Sequence, residues 1–307
     1  MKRHGNLFYE YIWECYIRKN NSNIVDTKGF VEKSNCWNKI IAPARFWCAD
    51  PFLIDYNGRH FVFCELMDRY KSKGYIGAGE IKSDGTVTID KVLELECHTS
   101  YPDVFCYDNE WFMIPESSGL KEVSLYKAVS FPDKWEKVGV LLSGINAVDS
   151  TVFSYENKLY IIIYIECADK NTMKFGELVV SGCSIENLKT VKTYNSKTGR
   201  PGGGIIKTNE QIFRPTQYGV HYYGEKIIFK KLFFDPMTFV YRESDLLTID
   251  KEMVKQTIGI EVEGVHTYNA DSEYEVIDIY RKKFFVLRPA ILFFKFFKIG
   301  GFKFGKA

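Results

Sequence analysis

Carboxylates recur along this chain in a set position. Asp50, Asp103 and Asp149 each open an apolar, β-rich run, and Glu65, Glu116 and Glu166 each close the run that follows. Carboxylates gathered from distant segments suit work on sugars. They accept hydroxyl hydrogen bonds, steady an oxocarbenium-like centre, and trade protons when their pKa values are pushed apart. Two basic groups hold matching places later on, Arg200 before three glycines and His266 in Val-His-Thr-Tyr. Arg grips a phosphate or carboxylate through paired hydrogen bonds, and glycines let a ligand approach the backbone. Asp50, Asp103, Glu116 and Asp149 are therefore the candidate catalytic residues. Glu65, His98, Tyr101, Arg200, Arg214 and His266 are the candidates for substrate binding. Plainer roles compete: Asp50 and Asp103 adjoin prolines and fit turns, and Glu65 and Glu116 fit buried structural ion pairs. No zinc-type spacing, phosphate-binding loop or dinucleotide glycine motif occurs, so nothing calls for a nucleotide-hydrolysing or redox cofactor. A divalent cation on these carboxylates stays open, although no ligand spacing demands one.

To act together, residues so far apart must be brought to one place. Short β-rich runs broken by Asn-Gly, Asp-Gly or Glu-Asn turns fill the chain, and helical periodicity is confined to residues 7–13. The runs repeat. Asp50 to Glu65, Asp103 to Glu116 and Asp149 to Glu166 each read as an acidic residue, an apolar strand, a polar turn, a second apolar strand and Glu. The steps of 53 and 46 residues between the three Asp fit one four-stranded blade each. A fourth unit begins near Arg200 and runs through Tyr223 to Phe229, and a fifth spans His266 to Tyr280. The reading is an all-β, five-bladed β-propeller over residues 36–281, with a short basic, Phe-rich tail over 282–307. Residues 1–35 contribute to closing the ring, with Ile12 to Ile17 as an outer strand. Inner strands of a propeller line a central funnel, so their opening residues, Asp50, Asp103, Asp149, Arg200 and His266, would meet at one mouth.

The 307 residues, 46% hydrophobic and 26% charged, are those of a globular protein with a sizeable core. A formal charge of +2 says almost nothing about partners, and no nucleic acid is expected among them, but the distribution of charge is uneven. From Arg281 onward there are eight Lys or Arg and no Asp or Glu. Arg288, Lys295 and Lys298 interrupt the apolar run, so the tail is too charged to span a bilayer. Residues 284–307 read instead as an interfacial segment on a membrane surface, with packing of the Phe residues against the propeller and binding to another chain as the alternatives. The eight cysteines are scattered without a C-x-x-C pair, several within apolar runs such as Phe63-Cys64-Glu65 and Phe105-Cys106-Tyr107. They read as reduced thiols. With no apolar signal segment near Met1, the expected location is cytoplasmic, peripheral at the inner membrane face.

Trp47-Cys-Ala-Asp-Pro-Phe-Leu53, His98-Thr-Ser-Tyr-Pro-Asp-Val-Phe105, Met113-Ile-Pro-Glu-Ser117, Arg200-Pro-Gly-Gly, Phe213-Arg-Pro-Thr-Gln217 and His266-Thr occur in this order. Together they resemble the N-terminal propeller domain of the plant glucosamine inositolphosphorylceramide transferase family and its bacterial relatives. The fold is more distantly similar to the furanosidase clan of glycoside hydrolase family 43. That second resemblance implies Asp50 as base, Asp103 or Asp149 as pKa modulator, and Glu116 as acid. The leading expectation is a glycosyltransferase of cell-surface glycan or glycolipid biosynthesis at the cytoplasmic membrane face. It would take a sugar donor and a glycan or glycolipid acceptor, with Arg200, Arg214 or His266 on the donor's phosphates. A furanosidase-type hydrolase and a non-catalytic glycan-binding or scaffolding propeller are the alternatives.

Overall fold

The computed structural model describes residues 8–20, 30, 37–207, 211–235, 238 and 240–299. Five antiparallel sheets follow one another along the chain. The first blade is β3 (Phe46–Tyr56), β4 (Arg59–Asp68), β5 (Lys73–Glu80) and β6 (Asp90–Leu93), from the inside out. The second is β7 (Ser100–Tyr107), β8 (Glu110–Glu116), β9 (Glu122–Ser130) and β10 (Lys134–Ser143). The third is β11 (Ala147–Tyr155), β12 (Lys158–Ile165), β13 (Asn171–Val179) and β14 (Ser184–Tyr194). In the fourth, β15 (Thr198–Pro201) and β16 (Ile206–Lys207) share the innermost position beside β17 (Ile212–Tyr218), followed by β18 (Lys226–Asp235) and β19 (Val240–Asp250). A short helix, α1 (Lys251–Ile258), leads to the fifth blade. Asp250 caps it by accepting from the Met253 amide, and Gly259 ends it at a φ of 76°.

The fifth blade joins the two ends of the chain. Its inner strands are β20 (Gly264–Ala270) and β21 (Tyr274–Phe284), and its outer ones are β1 (Tyr9–Lys19) and β2 (Asn38–Lys39). β1 and β21 pair without interruption over eleven residues, from Tyr9 opposite Phe284 to Lys19 opposite Tyr274. The helical signal over residues 7–13 is overruled here. Tyr9, Tyr11, Ile12 and Trp13 are strong strand formers, and β21 offers a full hydrogen-bonding edge.

Five apolar clusters fill the five gaps between neighbouring blades. This explains why middle strands are apolar throughout instead of alternating. In β12, Leu159, Ile161 and Ile163 pack toward the second blade, while Tyr160, Ile162 and Tyr164 pack toward the fourth. Cys15, Cys48 and Cys64 are buried where the fifth blade meets the first. Cys106 is exposed, because it falls past the buried part of β7 beside the turn.

Ile17, buried on β1 against the first blade, tests the closure. Ile17→Ala is expected to lower unfolding stability by about 2–5 kcal/mol in urea titrations. A loss under ~1 kcal/mol would mean that β1 contributes little to the ring.

Candidate functional site

Each inner strand carries a bulge near its start. The register slips between Ala49 and Phe52, Ser100 and Asp103, Val148 and Thr151, Thr198 and Arg200, and Val265 and Tyr268. The extra residue re-aims side chains at the axis. Asp50, Tyr101 and Asp149 occupy matching bulge positions with φ of 50°, 44° and 49°. Non-glycine residues hold such angles only where their surroundings fix them. Here the side chains are fixed across the axis.

Asp278, on β21, ties the fifth blade to the first. Its Oδ1 accepts the amides of His266 (3.2 Å) and Thr267 (2.9 Å), and its Oδ2 accepts that of Asp50 (2.9 Å). His266 sits between two carboxylates, with Nδ1 2.8 Å from Asp278 Oδ2 and Nε2 3.3 Å from Asp50 Oδ1. Burial alone would lower the His266 pKa, but Asp278 and Asp50 outweigh it and raise it. Burial pushes the Asp50 carboxyl up to about 6, against the pull of His266 and with help from Asp149 and Asp278. Thr267 Oγ1 also donates to Asp50 Oδ1. Both side-chain contacts therefore fall on one oxygen, and Oδ2 takes part in neither.

Glu65, on the neighbouring strand β4, is the second carboxyl with an oxygen to spare. Its Oε1 lies 3.2 Å from His98 Nε2. Burial, then the charges of Asp50, Glu116, Asp278 and Asp149, raise its pKa well above the usual carboxylate range. His98 Nδ1 accepts the Gly74 amide, so its proton belongs on Nε2, facing Glu65. Position 74 has to be glycine, since a Cβ there would lie 2.7 Å from Glu65 and 2.8 Å from His98.

Arg200 brings the third and fourth blades together. It forms a two-pronged pair with Asp149 and reaches Glu116 (3.1 Å) and Glu166 (3.4 Å). Gln217 Nε2 donates to Asp149 Oδ2 at 2.8 Å. Burial still lifts Asp149 to about 7, in spite of Arg200. The glycines after Arg200 serve the neighbouring blade. A Cβ on Gly203 would lie 2.0 Å from the Tyr268 carbonyl, and one on Gly202 2.8 Å from that of His266. They admit a backbone, where the sequence pointed to a ligand.

Aromatic rings line the mouth. Trp13 lies against His266 with centroids 3.9 Å apart, and Tyr223, more than half exposed, meets both rings edge-on. Gly224 makes room for Trp13, which a Cβ would approach within 2.6 Å.

Asp50, Glu65, His98, Glu116, Asp149, Arg200 and His266 thus converge as the sequence pattern indicated. Three other candidates stand apart. Asp103 lies two residues beyond the bulge and accepts the Val152 amide. Burial alone pushes its carboxyl up to about 8, with no charged group of the funnel acting on it. Tyr101, a substrate-binding candidate from sequence, is fully buried and forms the floor, its hydroxyl bonded to Thr151 and to both backbone groups of Gly203. Arg214 is fully buried inside the fourth blade, paired with Glu243 at 2.7 Å and donating to the Gly199 carbonyl at 2.9 Å. It has no face toward the funnel. Asp278, Trp13 and Tyr223 are site residues that the repeat did not single out. The signal for Asp278 was a lone acid inside the apolar run Val-Ile-Asp-Ile-Tyr.

Among the described residues, Asp50, His266 and Asp278 hold one ligand atom each within 4.8 Å of one another, close enough for a metal ion. The fit is poor, because backbone amides and His266 already occupy the Asp278 oxygens.

Residues 17–263 match the family described as glucosamine inositolphosphorylceramide transferase 1, N-terminal. Glucosamine inositolphosphorylceramide transferase 1 of Arabidopsis thaliana is 30% identical over 200 residues, and that of Oryza sativa subsp. japonica 28%. In both cases the match takes in 62% of this chain and 26% of the relative, so the chain spans about a quarter of these proteins. Among solved structures, a thermostable family-43 glycoside hydrolase superposes with a TM-score of 0.58 at 12% identity, over 79% of this chain and 91% of that one. An α-L-arabinofuranosidase from Clostridium thermocellum gives 0.53 at 13%, over 77% and 83%. At such identities the likeness is one of fold.

Asp103 supplies a test independent of ligand. Its carboxyl stays protonated in the fold up to about pH 8 but ionises near 3.8 when unfolded. Folded-state binding of that proton means stability is lost as pH rises between these values. Asp103→Asn keeps the acceptor for the Val152 amide and removes the titration. Its melting temperature relative to the parent should therefore climb from pH 5 to pH 8. A constant difference would contradict this placement.

Proposed function

Because the chain belongs to the glucosamine inositolphosphorylceramide transferase 1 N-terminal family, we propose that its funnel binds a sugar or polyol headgroup and activates one hydroxyl for glycosyl transfer in glycolipid assembly. The Asp278–His266–Asp50 array carries this reading. It offers one open carboxylate oxygen at a group that ionises near pH 6, poised to take a hydroxyl proton at neutral pH. Beside it, Glu65, whose pKa is raised by burial and by the carboxylates around it, is disposed to donate to a ring or hydroxyl oxygen. One acceptor and one donor on neighbouring strands match the needs of a neutral sugar. The donor's phosphates belong elsewhere. Arg200 is enclosed by three carboxylates and Arg214 by its own blade, so neither is available to an anion. In the transfer step the acceptor oxygen bonds the donor's anomeric carbon, the donor's leaving group departs, and Asp50 takes the hydroxyl proton. The buried thiols Cys15, Cys48 and Cys64 support a cytoplasmic setting, which forms part of the proposal.

Hydrolysis of the furanosidase type is the second reading, favoured by two neighbouring carboxyls, Asp50 and Glu65, whose pKa values their surroundings raise to different extents. In that case Glu65 is the acid. Glu116, the acid expected from the fold analogy, is instead ion-paired with Arg200.

A transfer assay with nucleotide sugars and inositol- or sugar-headed lipids separates the two. The rate should rise with pH through about 6 and then level. Asp50→Asn should cut it by roughly 10²–10⁴-fold. Release of free sugar without transfer would favour hydrolysis, and an unaffected Asp50→Asn variant would contradict both.

A further inference from the structure

The second strand of every blade ends at the funnel mouth. Glu65 on β4 pairs with Ala49, and Glu116 on β8 with Ser100, just before the bulges. In the fifth blade the equivalent level is Ile279, opposite Val265. β21 then continues to Phe284, and the chain enters a second helix, α2 (Arg288–Ile299). Residues 280–284 therefore rise beyond the mouth, on the same side. Contacts agree: Arg69, in the turn after β4, lies over the Phe285 ring at 5.0 Å and pairs with Glu10 at 3.2 Å. A column of rings connects the two regions. Trp13 at the mouth touches Tyr280, which stacks on Tyr11, and Tyr9 meets Phe284. Tyr9 is four residues along β1 from Trp13, about 14 Å at an antiparallel rise of about 3.4 Å.

This end is apolar, exposed and positive. Phe8, Phe284, Val286, Leu287, Leu292 and Phe293 are each 40–64% exposed. Monomeric proteins seldom display so many large apolar groups together without a use for them. Around them are Arg281, Lys282, Lys283 and Arg288. Glu14 is the shared carboxylate of Arg281, Lys283 and Lys39, and one negative charge cannot neutralise three positive ones. Apolar side chains ringed by uncompensated cations complement an anionic bilayer, whose headgroups meet the charges while the rings enter the acyl boundary. No helix of the described residues is long and apolar enough to cross a membrane.

From this arrangement we infer that the Phe284–Phe293 end of the fifth blade docks on an anionic lipid surface, and that docking turns the funnel mouth toward the bilayer. The surface stands whether or not the funnel turns over sugar. Only its purpose, offering the mouth to a lipid headgroup, rests on the reading above.

Flotation of the full chain with phosphatidylcholine vesicles, with and without phosphatidylserine, tests the docking. Binding should require phosphatidylserine and fall by about tenfold or more as salt rises from ~0.1 M to ~1 M, since screening shortens from ~10 Å to ~3 Å. Phe284→Ser/Leu287→Ser/Phe293→Ser should abolish it without altering the melting temperature or the response to sugars. Failure to float, or unchanged flotation of this variant, overturns the proposal. So does a dimer in sedimentation that the variant converts to monomer, because a second copy would then be the occupant. Hydrogen exchange on vesicles tests the orientation. Protection should appear at residues 219–224 and 281–293 and be missing from the far-end turns at 55–58, 107–110 and 155–158. Protection of those turns would mean the mouth faces away.

Discussion

The structure hinges on one buried carboxylate. Asp278 accepts three backbone amides from two blades and holds His266 against Asp50. A carboxylate at such depth is tolerated only with partners on all its lone pairs. The amides supply them, so the group that closes the ring also orients the imidazole. Taking away one side of so buried a charge pair costs on the order of 3–5 kcal/mol, which joins the stability of the fifth blade to the chemistry of the first. The bulges do the rest. Each turns one residue from the sheet toward the axis, and the identity of that residue decides what the blade contributes: a reactive carboxyl at Asp50, a floor at Tyr101, a clamp for Arg200 at Asp149.

Acids outnumber bases in the funnel. Six acids, Asp50, Glu65, Glu116, Asp149, Glu166 and Asp278, share the funnel with two basic residues, Arg200 and His266. That excess of acids suits hydroxyls, which find hydrogen-bond partners in Asp50 and Glu65, better than it suits a free anion inside the ring. The likeness to glycoside hydrolase propellers is one of fold, and fold does not carry activity. What this funnel does follows from which oxygens its own contacts leave open.

Much of this was legible in the sequence. The strand–turn–strand–Glu repeat encodes the central hairpin of three blades, and the two units opening near Arg200 and at His266 complete the ring of five. Closure by β1 was readable from Ile12 to Ile17, though the pattern over residues 7–13 looked helical until β21 supplied its edge. Asp103 misled because the repeats were aligned on the acid. Aligned on proline, Asp50-Pro51 falls on Tyr101-Pro102, which puts Tyr101 in the bulge and Asp103 two residues on. Arg214 could not be resolved from sequence, since its partner Glu243 lies across the blade on β19. Trp13 joins the site only because ring closure lays β1 beside β21, a long-range pairing that no local pattern reveals.

The central claim is that the funnel recognises a neutral sugar through Asp50. Ligand-induced thermal shift measures this directly, because a ligand that binds the native state raises its melting temperature by mass action. The account predicts stabilisation by inositol or simple sugars without added metal, loss of that response in Asp50→Asn, and little response to free nucleoside diphosphates. Stabilisation by nucleoside diphosphates alone, unchanged in Asp50→Asn, would contradict it.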